Sequence, residues 1–201
     1  MKMKLSCLFA LVLSTLLTSC SLFSPLPADS NSTYVLNTLP SYIPKREQHA
    51  STILVMPPDT QPVYNTTQMA YTIKPYQIAY FGRNQWAETP SQMLLPLIVQ
   101  SLQNTRYFHA VVTPPYAGRY QYLLTTQILK LQQNYVKFPH VVELVVRAQL
   151  TRTATNQVVA IKQFTVSVPI KCRTPYSGVS AANQATAKIL ADLTNFTLQH
   201  S

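Results

Sequence analysis

Glycine is nearly absent: the chain of 201 residues contains 3. A phosphate-cradling loop needs several glycines close together, so nucleotide-binding fingerprints of that kind are excluded. Acidic residues are almost as scarce, with Asp and Glu together numbering 6. So few carboxylates leave little material for acid/base catalysis or for an oxygen-ligated metal. Cysteine occurs 3 times, at Cys7, Cys20 and Cys172, which is too few for a disulfide framework. Charged residues make up 11%, against roughly 25% in average soluble domains, so solubility rests on Ser, Thr, Asn and Gln. No apolar run reaches the roughly 20 residues of a membrane span. What is present is an ordinary 47% of hydrophobic residues, enough to bury a core and unlike a disordered chain. The 15 prolines are dispersed and mark turns rather than a low-complexity linker. This length predicts one domain, or two small ones at most.

The first residues set the compartment. Lys2 and Lys4 precede a short apolar core over residues 5–17, the pattern of a signal peptide. It ends in Leu17-Thr18-Ser19-Cys20, which resembles the bacterial lipobox. There a peptidase cuts before the cysteine, and the thiol of that cysteine is acylated. Small residues before Cys20 and a sulfur at the new N-terminus meet both chemical needs. The expected layout is therefore a signal peptide over 1–19, a lipidated Cys20 with a flexible tether over 20–32, and a folded domain over 33–201. Loss of Lys2 and Lys4 would lower the net charge from +10 to +8. Cys172 would then be the one free thiol, expected to be small, buried and inert. Ser21 follows the lipidated position. By resemblance to lipoprotein sorting, a residue other than Asp there predicts the periplasmic face of the outer membrane.

Along the remaining chain, hydrophobic periodicity predicts the elements. Residues 34–36 and 51–56 read as strands. Residues 69–81 alternate in the β manner, with a break expected at Pro75. Thr89-Pro90 is a helix start, Thr as N-cap and Pro at the first position. Met93, Leu94, Leu97, Ile98, Ser101 and Leu102 then give one apolar face up to about Asn104, with a kink or a distinct first turn expected at Pro96. Residues 108–112 read as a short strand. Residues 120–133 read as a strand long enough to change its buried face. Residues 141–151 and 158–168 read as an antiparallel hairpin, with a bulge expected at Lys162. A last helix is predicted from about Ser177 to about Leu198. The predicted fold is a single α+β domain, a mostly antiparallel sheet with two helices packed on one face.

Local patterns supply no chemistry: no catalytic residue, metal site or cofactor site is predicted. His49, His109, His140 and His200 have no metal-ligand spacing and read as solvated or hydrogen-bonded. A positive chain in the periplasm meets anionic headgroups or acidic partner surfaces rather than nucleic acid; scattered solubilising charge is the plainer alternative. The aromatic stretch from Tyr71 to Trp86 is read first as core. Its alternative reading is partner contact through Arg83, Gln85 and Trp86, since Trp and Arg concentrate at binding hot spots.

Three motifs in this region carry a resemblance. Tyr76-Gln77-Ile78-Ala79-Tyr80-Phe81, Trp86-Ala87-Glu88-Thr89-Pro90 and Met93-Leu94 together resemble the ABC-type transport auxiliary lipoproteins, the PqiC-like family. Tyr34-Val35-Leu36, Tyr120-Gln121-Tyr122-Leu123-Leu124, Val158-Val159-Ala160 with Phe164, and the Ala-rich C-terminal helix agree in order. Pro96 and the scarcity of acid depart from that pattern. The resemblance implies a non-catalytic lipoprotein of the outer membrane. Its implied partner is a periplasmic mammalian-cell-entry-domain protein of an ABC-linked lipid transport system, engaged by a homo-oligomer or by a ring formed on the partner. A structural lipoprotein of another envelope machine, such as a secretion or pilus apparatus, is the alternative.

Overall fold

The computed structural model describes residues 31–201. The expected signal peptide, Cys20 and nearly all of the expected tether lie outside the described residues. Ser32, at the end of the expected tether, is already the first residue of a strand.

Among the described residues, nine strands and two α-helices form a single α+β domain, as the periodicity predicts. The strands are β1 (Ser32–Tyr34), β2 (His49–Val55), β3 (Asp59–Thr60), β4 (Gln68–Thr72), β5 (Ala79–Trp86), β6 (Phe108–Val112), β7 (Tyr122–Asn134), β8 (Val141–Arg152) and β9 (Gln157–Pro169). The helices are α1 (Pro90–Asn104) and α2 (Pro175–His200). The long ladders β7–β8 and β8–β9 are antiparallel. The short pairings of β7 with β2, β3 and β4, and those of β1 with β5 and β2 with β6, are parallel, so the sheet is mixed.

Strand β7 is the axis of this sheet. One edge pairs with β8 along its whole length. The other edge takes β2 at residues 122–124, β3 at 127–128 and β4 at 133–134. Opposite Val146 and Val145 the register slips between Ile128 and Lys130, which leaves Leu129 as an extra residue. A bulge of this kind inverts the alternation. Leu124, Thr126 and Ile128 are buried before it, Leu131 and Gln133 after it. The predicted change of face thus has a definite cause.

The hairpin partner β8 turns Val142, Leu144, Val146, Ala148 and Leu150 inward. Against them α2 lays Val179, Ala182, Ala185, Ile189, Leu193 and Phe196, all buried. Thr174 caps α2 by accepting from the Ser177 amide at 3.2 Å. The helix begins at Pro175, two residues before the expected start, through the same Thr-Pro pair that opens α1. In α1, Thr89 and Gln92 form a reciprocal capping box, and the helix continues through Pro96. Its predicted apolar face is buried at every position from Met93 to Leu102 named above.

Three expectations are corrected. The first strand is Ser32–Tyr34 rather than 34–36: pairing to β5 ends at Tyr34, and Leu36 then drops into the core against Met93. The bulge in β9 falls at Val159, between the partners of Leu150 and Thr151, and Lys162 stays in register opposite Ala148. Cys172 is exposed, in the loop between β9 and α2, not buried.

Gly178 faces the sheet where α2 crosses Gln133. A Cβ at Gly178 would lie about 2.0 Å from the Gln133 side chain, which the Tyr135 hydroxyl holds by a 2.5 Å bond to Oε1. Gly178→Ala is therefore expected to destabilise the domain by about 1–3 kcal/mol through overpacking, despite the better helix propensity of alanine. Denaturant unfolding of the two proteins checks this; an unchanged midpoint would mean that Gln133 swings away freely.

Candidate functional site

The segment singled out in the sequence occupies β5 and the turn into α1. Between Gln68↔Gln85 and Ala70↔Tyr80 the β4–β5 ladder skips several residues of β5, so residues 81–84 bow away from their partner. Trp86 closes this strand. It is 4% exposed and belongs to the main core cluster. Its amide donates to the Thr67 carbonyl at 2.7 Å, and the next amide, of Ala87, donates to Tyr34 at 2.7 Å. Arg83 and Gln85 lie on the same strand but are exposed. The structure thus separates the three predicted residues: Trp86 holds the interior, while Arg83 and Gln85 face solvent.

Beside this strand runs an open apolar groove of about 490 Å³. The segment 35–37 forms one wall; Met93, Pro96 and Leu97 of α1 form the other. Asn183 of α2 pins the first wall with three bonds. Its Oδ1 accepts from the Asn37 amide at 2.9 Å and from the Thr38 hydroxyl at 3.0 Å, and its Nδ2 donates to the Val35 carbonyl at 3.0 Å. Asn183 itself is only partly buried. Its role depends on a contact with residues nearly 150 positions earlier, which no local pattern contains.

Two further depressions are polar. One, of about 600 Å³, lies at the edge strand β6 and is lined by Arg46, Arg106 and His109. The other, of about 410 Å³, lies on the open face of β7 and β8. Its floor is a hydrogen-bonded chain. The Tyr64 hydroxyl donates to Gln132 Oε1 at 2.8 Å, Gln132 Nε2 donates to Glu143 Oε2 at 3.1 Å, and Lys130 Nζ approaches the same oxygen at 3.4 Å. Burial, and secondarily the nearby Glu143 and Tyr80, push the Tyr64 phenol up to about 12 from its ordinary 10.0. The four predicted bystander histidines make ordinary contacts: His49 stacks on Tyr107, His140 meets Tyr135 and Phe138, His200 Nδ1 lies 2.8 Å from the Phe196 carbonyl, and His109 is exposed. Among the described residues, no three His, Cys, Asp or Glu residues gather at metal-binding distance.

The chain belongs to the family of the ABC-type transport auxiliary lipoprotein component, whose family model matches residues 34–194. That family is an auxiliary component of a transport system. A comparison with curated proteins finds no match. Among solved structures, a protein from Xanthomonas campestris is similar at a TM-score of 0.77 and 19% identity, over 84% of this chain and 96% of that one. Another crystal structure of an uncharacterized protein has a TM-score of 0.68 at 14% identity, over 84% and 99%. A hypothetical protein from Chlamydia trachomatis has a TM-score of 0.50 at 8% identity, over 73% and 96%. At these identities the likeness establishes the fold. No helix among the described residues is long and apolar enough to cross a membrane.

Two predictions follow from this geometry. Trp86→Ala is expected to cost about 3–5 kcal/mol, because a large side chain leaves a core cavity. Thermal denaturation tests it; an unchanged melting curve with lost partner binding would instead make Trp86 a contact residue. For Tyr64, folding raises the phenol pKa, so it favours the protonated form. The stability this supplies is complete below pH 10 and is lost as pH rises toward about 12. Denaturation between those values should show a steeper decline for the native chain than for Tyr64→Phe, and identical slopes would refute the assignment.

Proposed function

We propose that the protein is a lipid-anchored outer-membrane component, facing the periplasm, that docks a periplasmic protein with mammalian-cell-entry domains in ABC-linked lipid transport. Family membership over residues 34–194 carries this reading. The exposed Arg83 and Gln85 lie on β5, whose following residues Ala87 and Glu88 line the groove between Val35 and Pro96, and together they supply a surface of suitable chemistry. Hot spots combine such an apolar hollow with flanking arginine. The anchor at Cys20 confines the domain to one membrane. Confinement raises effective concentration, so several weak contacts made by several copies around one partner suffice. The docking surface comprises residues other than the buried Trp86.

Lipidation is tested with Cys20→Ala. The expected result is an unprocessed precursor that takes up no labelled palmitate, whereas undiminished labelling would remove the anchor from the scheme. Docking is tested by crosslinking in intact cells from residues 83 and 85. Capture of a mammalian-cell-entry protein, reduced by Arg83→Glu at unchanged Tm, is the expected outcome. Consistent capture of secretion-apparatus proteins would favour a structural role in another envelope machine. Fractionation with inner-membrane markers would reject the sorting argument based on Ser21 while leaving lipidation intact.

A further inference from the structure

Three loops meet at one end of the sheet. They are the β4–β5 loop (residues 73–78), the β7–β8 loop (135–140) and the β9–α2 loop (170–174). The ladder places them together, since Thr72 pairs with Asn134 and Val141 pairs with Pro169. Side chains then join them. The Tyr135 amide donates to the Thr72 carbonyl at 2.8 Å, Tyr71 meets the Tyr135 ring edge-on, and the Arg173 guanidinium lies 5.4 Å from the Tyr135 ring centre. The Thr72 hydroxyl donates to the Lys74 carbonyl at 2.8 Å, which fixes the first loop. These tips are therefore a built surface and not separate loose ends.

This surface is apolar where a loop is usually polar. Tyr76 is 109% exposed, Phe138 89%, Ile73 42% and Ile78 39%. Four of the ten large exposed apolar side chains of the described residues thus fall in two short loops. Single exposed apolar residues need no explanation; a cluster marks a contact. The same loops carry Lys74, Lys137, Lys171 and Arg173, all exposed, and contain no Asp or Glu. Glu143, which lines one depression with Tyr76 and Ile78, is already engaged by Lys130 and Gln132. Aromatic and aliphatic tips ringed by Lys and Arg match the interface of an anionic bilayer. The rings enter the headgroup boundary while each cation near that surface adds electrostatic attraction to it.

The direction of the chain agrees. Strand β1 runs parallel to β5 and therefore away from this end. Tyr34 lies against Tyr176 in the first turn of α2, and Asn37 lies against Asn183 further along it. The polypeptide thus enters the domain from the side of the loops. From Cys20 to Asn31 is a chain that reaches roughly 40 Å at full stretch, long enough for this end to meet the anchoring membrane. We propose that the loop end formed by residues 73–78, 135–140 and 170–174 inserts its aromatic and aliphatic tips into the anionic lipid surface that holds the anchor. Its orientation rests on the lipid-anchor reading above; the chemistry of the tip does not. The membrane then fixes which way the domain faces, with the opposite end turned toward the periplasm.

The exposed Cys172 provides the probe, since it lies within this end. The mature, lipidated chain is reconstituted in vesicles of phosphatidylglycerol and phosphatidylcholine and labelled with a nitroxide at Cys172. The same label is placed at Phe138→Cys, and as a control at Thr155→Cys in the turn between β8 and β9, both in a Cys172→Ser background. The expected result is that the labels at 172 and 138 lose access to a water-soluble relaxant and gain access to lipid-dissolved oxygen. The label at 155 stays aqueous. Lys74→Glu with Lys137→Glu, both surface changes with no expected effect on Tm, should abolish the shielding at 172. Association through the anchor with the labels at 172 and 138 left aqueous overturns the proposal and leaves the anchor reading standing. No association with any vesicle overturns both. Shielding that arises only when a periplasmic partner is added overturns it in favour of a protein contact.

Discussion

Strand β7 is hydrogen-bonded along both edges, and the rest of the domain hangs on that fact. Its removal would leave β1–β5–β4, β2–β6, β3 and the β8–β9 hairpin as pieces with no sheet contact. The strand achieves this by length. Thirteen residues give room for β8 on one side and for three short strands in succession on the other. Such parallel partners would be marginal alone, because two or three residue pairs bury little and close long loops. Their contribution becomes favourable only once β7 and β8 have formed the surface on which α2 packs. The bulge at Leu129 is part of the same design. It turns the inward face over midway, so that Gln133 meets the notch left by Gly178 while Leu124 and Ile128 serve the core.

This dependence explains what the amino-acid pattern reveals and what it conceals. The helices, the β8–β9 hairpin and β6 were legible because each carries its own periodicity or cap. Strand β3 was not, because Asp59 and Thr60 are a strand only through pairing with Gln127 and Ile128. For β1 the apolar cue misled: Val35 and Leu36 look like strand residues, yet the parallel partner stops at Trp86. Lys162 broke the alternation without breaking the register. It occupies a core-facing position near the end of α2 and extends its ammonium over the Phe164 ring at 5.3 Å, so its stem covers apolar surface while its charge stays wet. Cys172 fell outside the general tendency of cysteine to be buried because it lies in a loop ahead of a helix cap, and loops run over the surface.

Function was less legible than fold for a related reason. The loop end gathers residues from three stretches spread over roughly a hundred positions of chain, each unremarkable by itself. Phe138 in isolation is a loop aromatic; beside Tyr76 and Lys74 it is part of a surface with a definite chemistry. Scarcity of acid is what preserves that chemistry. With so few carboxylates, most of the positive charge has no local partner to neutralise it, and Glu143 is held within the sheet by Lys130 and Gln132.

The two ends of the molecule can therefore act without disturbing each other or the core. On β5, Trp86 is buried while Gln85 beside it is exposed, because successive side chains of a strand point to opposite faces. The structural role and the proposed docking role lie on one strand yet separate by residue. The loop tips are likewise outside the core cluster, which draws on strand interiors, helix faces and the segments beside them. Substitutions at the tips should consequently alter attachment and orientation without altering folding, whereas substitutions at Trp86 or Gly178 should alter folding first and every contact only as a result. A domain so partitioned can keep its β7-centred core while its surface residues vary.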